Sequence, residues 1–361
     1  MNFGNIGAKK LVTRLPYDSE VEYLESTGTQ YIDTGITPDI NGISKISFMP
    51  TVSSSPVVWG CQNFTETSGY GRYFTISGVS STAYRPVGNV YDIELNGETD
   101  SYYVNGVLQS SSSSFFKVSA SGNCWLFGRS DNGNLESVRI YSTSFAVGGI
   151  IVRDFIPVRV GTTGYMYDRV SGKLFDNQGS GNFIVGPDVA EVEYLEGTGT
   201  QWIDTGIGFF ADFEIGIRLR QSVSNKALGV SPSSCMERIN ASNPCWRLTV
   251  NGVVYNSSVP IVEYHSMALR NGTFSCDGAP ISSVENTFAT GKMTIFGAGG
   301  TCYPNMIYHC NLYDSNGVLV RDFVPVRIGT EGAMEDTLTR RFYRNSGTGT
   351  FKYGNDIIRI S

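Results

Sequence analysis

The chain has 361 residues, of which 40 % are apolar and only 17 % charged, with 42 Gly, 20 Tyr, 20 Phe and a net charge of −6. So many aromatics and glycines beside so few charges describe strands and turns, and the expected class is all-β. The one basic cluster is Lys9, Lys10 and Arg14, which excludes the electrostatic footprint of a nucleic-acid binder, and no apolar run approaches the roughly 18 residues of a membrane-spanning helix.

Residues 1–20 hold no apolar core of signal-peptide length and are expected to form an arm on a soluble protein made in a cytoplasm. From residue 21 the chain says one thing twice. Val21 to Ile36 returns as Val192 to Ile207, with only Ser26 becoming Gly197 and Tyr31 becoming Trp202. Val152 to Gly164 returns as Val320 to Gly332, and Asn177-x-Gly179-x-Gly181-x-Phe183 returns as Asn345-x-Gly347-x-Gly349-x-Phe351. Similar segments open and close each copy while the middles differ, so each copy reads as a folding unit whose ends pair. The expected boundaries are an arm at 1–20, domains at 21–188 and 192–356 separated by a linker at 189–191, and a tail at 357–361. A domain of roughly 165 residues buries about two thirds of its unfolded surface and needs neither disulfide nor metal to fold.

Inside the copies, Asn96-Gly97, Asn105-Gly106, Asn251-Gly252, Asn271-Gly272, Asp277-Gly278 and Asn316-Gly317 suit the positive φ angles of two-residue hairpin turns. Phe213, Ile215, Ile217 and Leu219 alternate with polar or small residues, as do Trp246, Leu248 and Val250, giving strands with one apolar face. Both middles share a strand, turn, strand, turn layout, from Tyr91 to Gly106 and from Tyr264 to Gly278. Antiparallel strands at this spacing close as two-sheet sandwiches. The cysteines divide as Cys61 and Cys124 in the first copy and Cys235, Cys245, Cys276, Cys302 and Cys310 in the second; with no shared framework and an odd total, they read as buried, reduced side chains.

The opening block with Tyr31-Ile32-Asp33-Thr34-Gly35, the hairpin Tyr103 to Val107, and Leu126-Phe127-Gly128 with Val138 to Tyr141 resemble the laminin-G-like, concanavalin-A-type jelly roll. The closing block, Val152 to Arg159 and then Gly164 to Phe175, resembles the version of this module found in virion and tail proteins of tailed phages of gut bacteria. The second copy departs from that pattern where Tyr165-Met166-Tyr167-Asp168 becomes Ala333-Met334-Glu335-Asp336 and Ser171-Gly172 becomes Thr339-Arg340. The resemblance implies two tandem jelly-roll sandwiches used for adhesion or as a structural part of a virion. On that reading the arm would meet other virion proteins, host surface polysaccharide is a candidate ligand, and a homo-oligomer stays open.

Several constellations compete with a non-catalytic reading. Asp33-Thr34-Gly35 and Asp204-Thr205-Gly206 match the paired triplets of two-lobed aspartic proteases, whose carboxylates share a proton. Ile36 and Ile207 stand where those enzymes need Ser or Thr, and a dyad does not require Tyr23, Leu24 and Gln30 to recur with it. The structural alternative is that each Asp accepts backbone N–H bonds in a turn, or pairs with a repeated arginine such as Arg153 or Arg159, Arg321 or Arg327, beside Asp154 and Asp322. Glu20, Glu22 and Glu25 suggest a glucanase carboxylate set only weakly, because they open the domain. Asp131, Asn132, Asn134 and Glu136 offer oxygen ligands in one loop, a candidate calcium site with no carboxylate in the second copy. His265 and His309 have no partner at ligand spacing. Trp59, Tyr70, Tyr73 and Tyr84 lie where the copies differ and are the candidate glycan-stacking rim. The expected function is therefore a non-catalytic virion protein that grips host glycans, with a purely structural virion component and a hydrolase as alternatives.

Overall fold

A computed structural model describes residues 15–37, 41–52, 58–62, 75–76, 79–80, 87–111, 121–130, 135–209, 212–218, 225–239, 245–257, 264–284, 289–298 and 301–357. All regular structure among the described residues is β-strand, forming two tandem antiparallel jelly-roll sandwiches. No helix there is long and apolar enough to cross a membrane. The division between the two compact units falls between Gly186 and Pro187.

In the first unit the larger sheet runs Val107–Ser111, Ser101–Val104, Tyr91–Asn96, Ile43–Pro50, Val138–Val147, Ile150–Val160, Thr163–Asp168 and Lys173–Phe175, each antiparallel to the next. The smaller sheet holds Ile32–Asp33, Ser121–Leu126 and Trp59–Gln62. Alternation points Phe48, Ile93, Ile140 and Phe155 from one sheet at Ile32, Trp59, Cys124 and Leu126 from the other, and these side chains form one buried core. In the second unit Ala279–Ser283, Thr273–Cys276, His265–Arg270, Asp212–Arg218, Met306–Tyr313, Leu319–Ile328, Glu331–Asp336 and Arg341–Tyr343 follow the same order. They face Ile203–Asp204, Thr294–Ile295, Asn225–Ser231, Ser234–Ile239, Cys245–Val250 and Val253–Asn256. Phe213, Ile215, Ile217, Trp246, Leu248 and Val250 all point into the core between them, while Leu219 lies outside the described residues.

Four of the six expected turns have both central residues at positive φ: Asn105-Gly106, Asn251-Gly252, Asn271-Gly272 and Asp277-Gly278. The other two are longer loops. Asn96-Gly97 opens one in which Asp100 takes the left-handed conformation, and at Asn316-Gly317 the Asp314 carboxylate accepts from the amides of Asn316 and Val318.

The duplicated end segments repeat because they clamp each other. Gln30 is buried; its Oε1 accepts the Thr27 amide at 2.8 Å and its Nε2 donates to the carbonyl of Asn182 at 3.1 Å. Gln201 does the same with the Thr198 amide and the Thr350 carbonyl, at 2.7 and 3.1 Å. Asn177 Oδ1 accepts the amides of Tyr31 and Gly179, and Asn345 Oδ1 those of Trp202 and Gly347. A Cβ on Gly179 or Gly347 would sit 2.0 Å from the carbonyl oxygen of Thr29 or Thr200, so only glycine admits this approach.

Strand pairing extends past the expected arm, linker and tail boundaries. Ser19 and Glu20 pair with Arg159 and Val158, and the Asp18 carboxylate accepts the Gly161 amide at 2.7 Å, so residues 18–20 belong to the first sandwich and not to an arm. The linker is likewise a strand, Asp188–Glu191, paired with Val326 to Ile328. Ile357 of the expected tail donates its amide to the Glu191 carbonyl at 2.8 Å. Cys61, Cys124, Cys235, Cys276 and Cys310 are buried free thiols, and Cys302 is a half-buried one.

Candidate functional site

In the first unit Trp125 pairs with Asp33 and Leu126 with Ile32. Alternation sends Cys124, Leu126 and Ile32 inward, leaving Trp125, Tyr31 and Asp33 on the outer face of the small sheet. The two rings stack, with centroids 3.8 Å apart and planes 22° apart. Beside them Asp33 Oδ1 accepts the Gly35 amide at 2.9 Å and Oδ2 accepts from Asn123 Nδ2 at 3.3 Å. Thr34 turns inward and donates its hydroxyl to the Cys124 carbonyl at 2.7 Å, fixing the turn to the sheet.

The second unit repeats this frame with different contents. Asp204 Oδ1 accepts the Gly206 amide at 3.1 Å, and Thr205 donates to the Met293 carbonyl at 2.8 Å. Strand register makes Lys292 the counterpart of Asn123 and Thr294 the counterpart of Trp125. Lys292 Nζ lies 2.7 Å from Asp204 Oδ2 and 5.8 Å from the Trp202 ring centroid. With threonine in place of tryptophan the Trp202 ring lacks the stacked partner that Trp125 gives Tyr31, and among the described residues a cavity of about 190 Å³ is lined by Trp202, Val230, Lys292, Thr294, Ala298 and Cys302. That is below the roughly 300 Å³ at which drug-sized pockets begin, so it suits one ring of a larger ligand. An aromatic wall with a carboxylate and an ammonium at its edge offers the apolar face and the hydroxyl partners that a sugar ring presents.

The sequence-predicted residues fall elsewhere. Trp59 is 1 % exposed and meets Phe145 edge-on across the core at 5.2 Å, so it is a core ring and not a stacking platform; the smaller sheet needs a large inward side chain opposite Phe145. Tyr70, Tyr73 and Tyr84 lie outside the described residues, as do Asp131, Asn132 and Asn134 of the calcium loop. Glu136 is half-buried and its amide donates to the Phe127 carbonyl at 2.9 Å. Asp33 and Asp204 do not pair with the repeated arginines. Arg153 instead donates to the Thr34 carbonyl and approaches the buried Asp168 at 3.7 Å; Arg321 does so with Thr205 and Asp336, at 3.8 Å. Asp168 and Asp336 accept the amides of Asp154 and Asp322 and the hydroxyls of Ser171 and Thr339, holding the hairpins that close each large sheet. Arg327 pairs with Asp356. Glu25 pairs with Arg139, and the strand breaks at Glu22, so the glutamates do not form a facing carboxylate set.

Sequence reasoning passed over Tyr31, Trp125, Trp202 and Lys292. One signal was available: within a 16-residue block that is otherwise almost invariant, Tyr31 changes to another aromatic, Trp202, as an outward-facing ligand contact would.

No family model and no curated protein sequence matches the chain. Solved structures that align with it include a candidate carbohydrate-binding protein from Bacteroides ovatus ATCC 8483, at 11 % identity over 96 % of this chain and 96 % of that chain with a TM-score of 0.34. Mouse laminin α1 chain domains LG4-5 align at 10 % identity over 96 % of this chain and 99 % of that chain, with a TM-score of 0.27.

Proposed function

We propose that the chain is a non-catalytic, lectin-like protein that binds glycans through the outer faces of its two small sheets and is carried on the particle of a tailed phage. One observation carries the binding reading: both copies hold an aromatic side chain and a turn-fixed aspartate at the same outward position, open as a pocket in the second copy. The phage setting rests on the resemblance of the closing block, and residues 1–14 are the proposed attachment to other virion proteins. On this reading the pocket at Trp202 is the principal sugar site and the Tyr31–Trp125 pair a weaker, flat one.

A glycan array, run with calcium and again with chelator, followed by NMR titration of each hit, tests the proposal. Trp202→Ala should abolish the main binding event and Trp125→Ala should spare it. If no glycan binds, the sugar reading is wrong, and a purely structural virion role takes its place if the protein is found in particles; if Trp202→Ala binds like the parent, the site is not at this pocket.

A further inference from the structure

The second unit carries a cluster that its proposed sugar site does not use. His265 begins one strand of the large sheet, Cys276 ends the next, and Asp277 takes the first positive-φ position of the following turn, with φ 49°. Met267 pairs with Cys276, which brings Asp277 against Ser266: the Asp277 amide donates to the Ser266 carbonyl at 2.7 Å, and Asp277 Oδ1 accepts the Ser266 amide at 2.8 Å. The other carboxylate oxygen lies 2.8 Å from His265 Nδ1 and 3.6 Å from Cys276 Sγ. All three ligand atoms fall within 4.8 Å of one another.

The first copy supplies an internal control. Equivalent register positions there are Tyr91, Val104 and Asn105. Asn105 makes the same two turn bonds, accepting the Asp92 amide at 2.9 Å and donating its own amide to the Asp92 carbonyl at 2.7 Å. The turn therefore needs only one side-chain oxygen. The second carboxylate oxygen, the imidazole and the thiol are not needed for that turn, and all three appear together at one place in one copy.

We propose that His265, Cys276 and Asp277 form a three-ligand site for a divalent transition ion of the zinc class. A tetrahedral ion with bonds of about 2.0 Å to N and O and about 2.3 Å to S spaces its ligand atoms about 3.3–3.6 Å apart, so small side-chain rotations suffice. His265 is 12 % exposed and Cys276 3 %, whereas the Asp277 side chain is 52 % exposed at the mouth, where it can swing and leave a fourth position to water. Imidazole with thiolate selects zinc-like ions over calcium or magnesium. Binding one ion displaces the thiol proton to solvent. A Cys-His-Asp nucleophile is the rival arrangement, but here the thiol points to the carboxylate and not to the imidazole that would have to take its proton.

Equilibrium dialysis of the full chain against zinc with metal analysis, and cobalt substitution with absorption spectroscopy, tests the site. The parent should retain one ion per chain, and cobalt should give a thiolate charge-transfer band. Asp277→Asn keeps the turn bond that Asn105 makes and should fold, yet lose at least the roughly 10–100-fold in affinity that even outer-shell changes cause. Cys276→Ser should lose the band. If the parent binds no ion, or if folded Asp277→Asn and Cys276→Ser bind as tightly as the parent, the site does not exist. Glycan binding at Trp202 should not change in these variants, so the two proposals fail separately.

Discussion

Trp125 and Thr294 occupy one position of the repeat, and their sizes decide which copy has a cavity. Thr294→Trp should close the second pocket and end its glycan binding, at a cost of about 1 kcal/mol for the hydroxyl bonds to the carbonyls of Gly229 and Gly297; NMR titration and urea unfolding read the two effects. Phe127 and Phe296 show how tightly single residues are held. Both are buried, and both take left-handed φ angles of 66° and 69°, which cost an L-residue about 1–2 kcal/mol. The Phe127 amide donates to the Val58 carbonyl and the Phe296 amide to the Ala227 carbonyl, each at 2.7 Å, and each ring packs 4.7 Å from that of Phe183 or Phe351. Phe296→Ala should therefore destabilise the second unit by about 3–5 kcal/mol. Phe296→Gly, which relieves the backbone, should be no worse than alanine, reversing the usual order in a strand. An alanine variant more stable than the glycine one would show that the backbone is not strained there.

At the scale of elements, two carboxylates of the second unit, Asp336 in the closing hairpin and Asp356 beyond it, have opposite pH behaviour. In the second unit burial pushes the Asp336 carboxyl up from 3.8, against the lowering effect of the Asp322 amide, the Thr339 hydroxyl and Arg321. A folded state that holds its proton more tightly gains stability at low pH and loses it as pH rises from 3.8 through the raised value. Asp356 runs the other way: the two-pronged bond from Arg327 holds its carboxyl below 3.8, so its contribution is present above 3.8 and is lost as pH falls through the lowered value. That pair is partly exposed and is worth at most about 1 kcal/mol. In urea titrations between acid and neutral pH, Asp356→Asn should flatten the loss of stability on acidification, whereas Asp336→Asn should steepen it. The same direction of change in both variants would contradict these assignments.

For the whole molecule, the expected boundaries and the observed one give different fragments. A second unit starting at Pro187 keeps the strand Asp188–Glu191 on Val326 to Ile328, while one starting at Val192 leaves that edge bare. The longer fragment should unfold in one cooperative step, and the shorter should lose stability and associate through its open edge; calorimetry and sedimentation distinguish them. Equal stability would mean that the strand is decoration.

What the sequence determined by itself is whatever depends on neighbours along the chain or on repetition: the all-β class, the two units, four hairpin turns that require positive φ, and the alternation that buries Phe213, Ile215 and Ile217. It also implied that the ends of each copy meet, because a clamp such as Gln30 to Asn182 must recur on both sides. The tertiary structure decided which aromatic faces outward. Trp59 looks like a platform and is core, whereas Trp125 meets Tyr31 from a strand some ninety residues away. It likewise brought Asp277 to His265 across a hairpin. Strand register is set by cross-strand pairing and by the filling of a shared core, and neither quantity is a property of any short stretch of the chain.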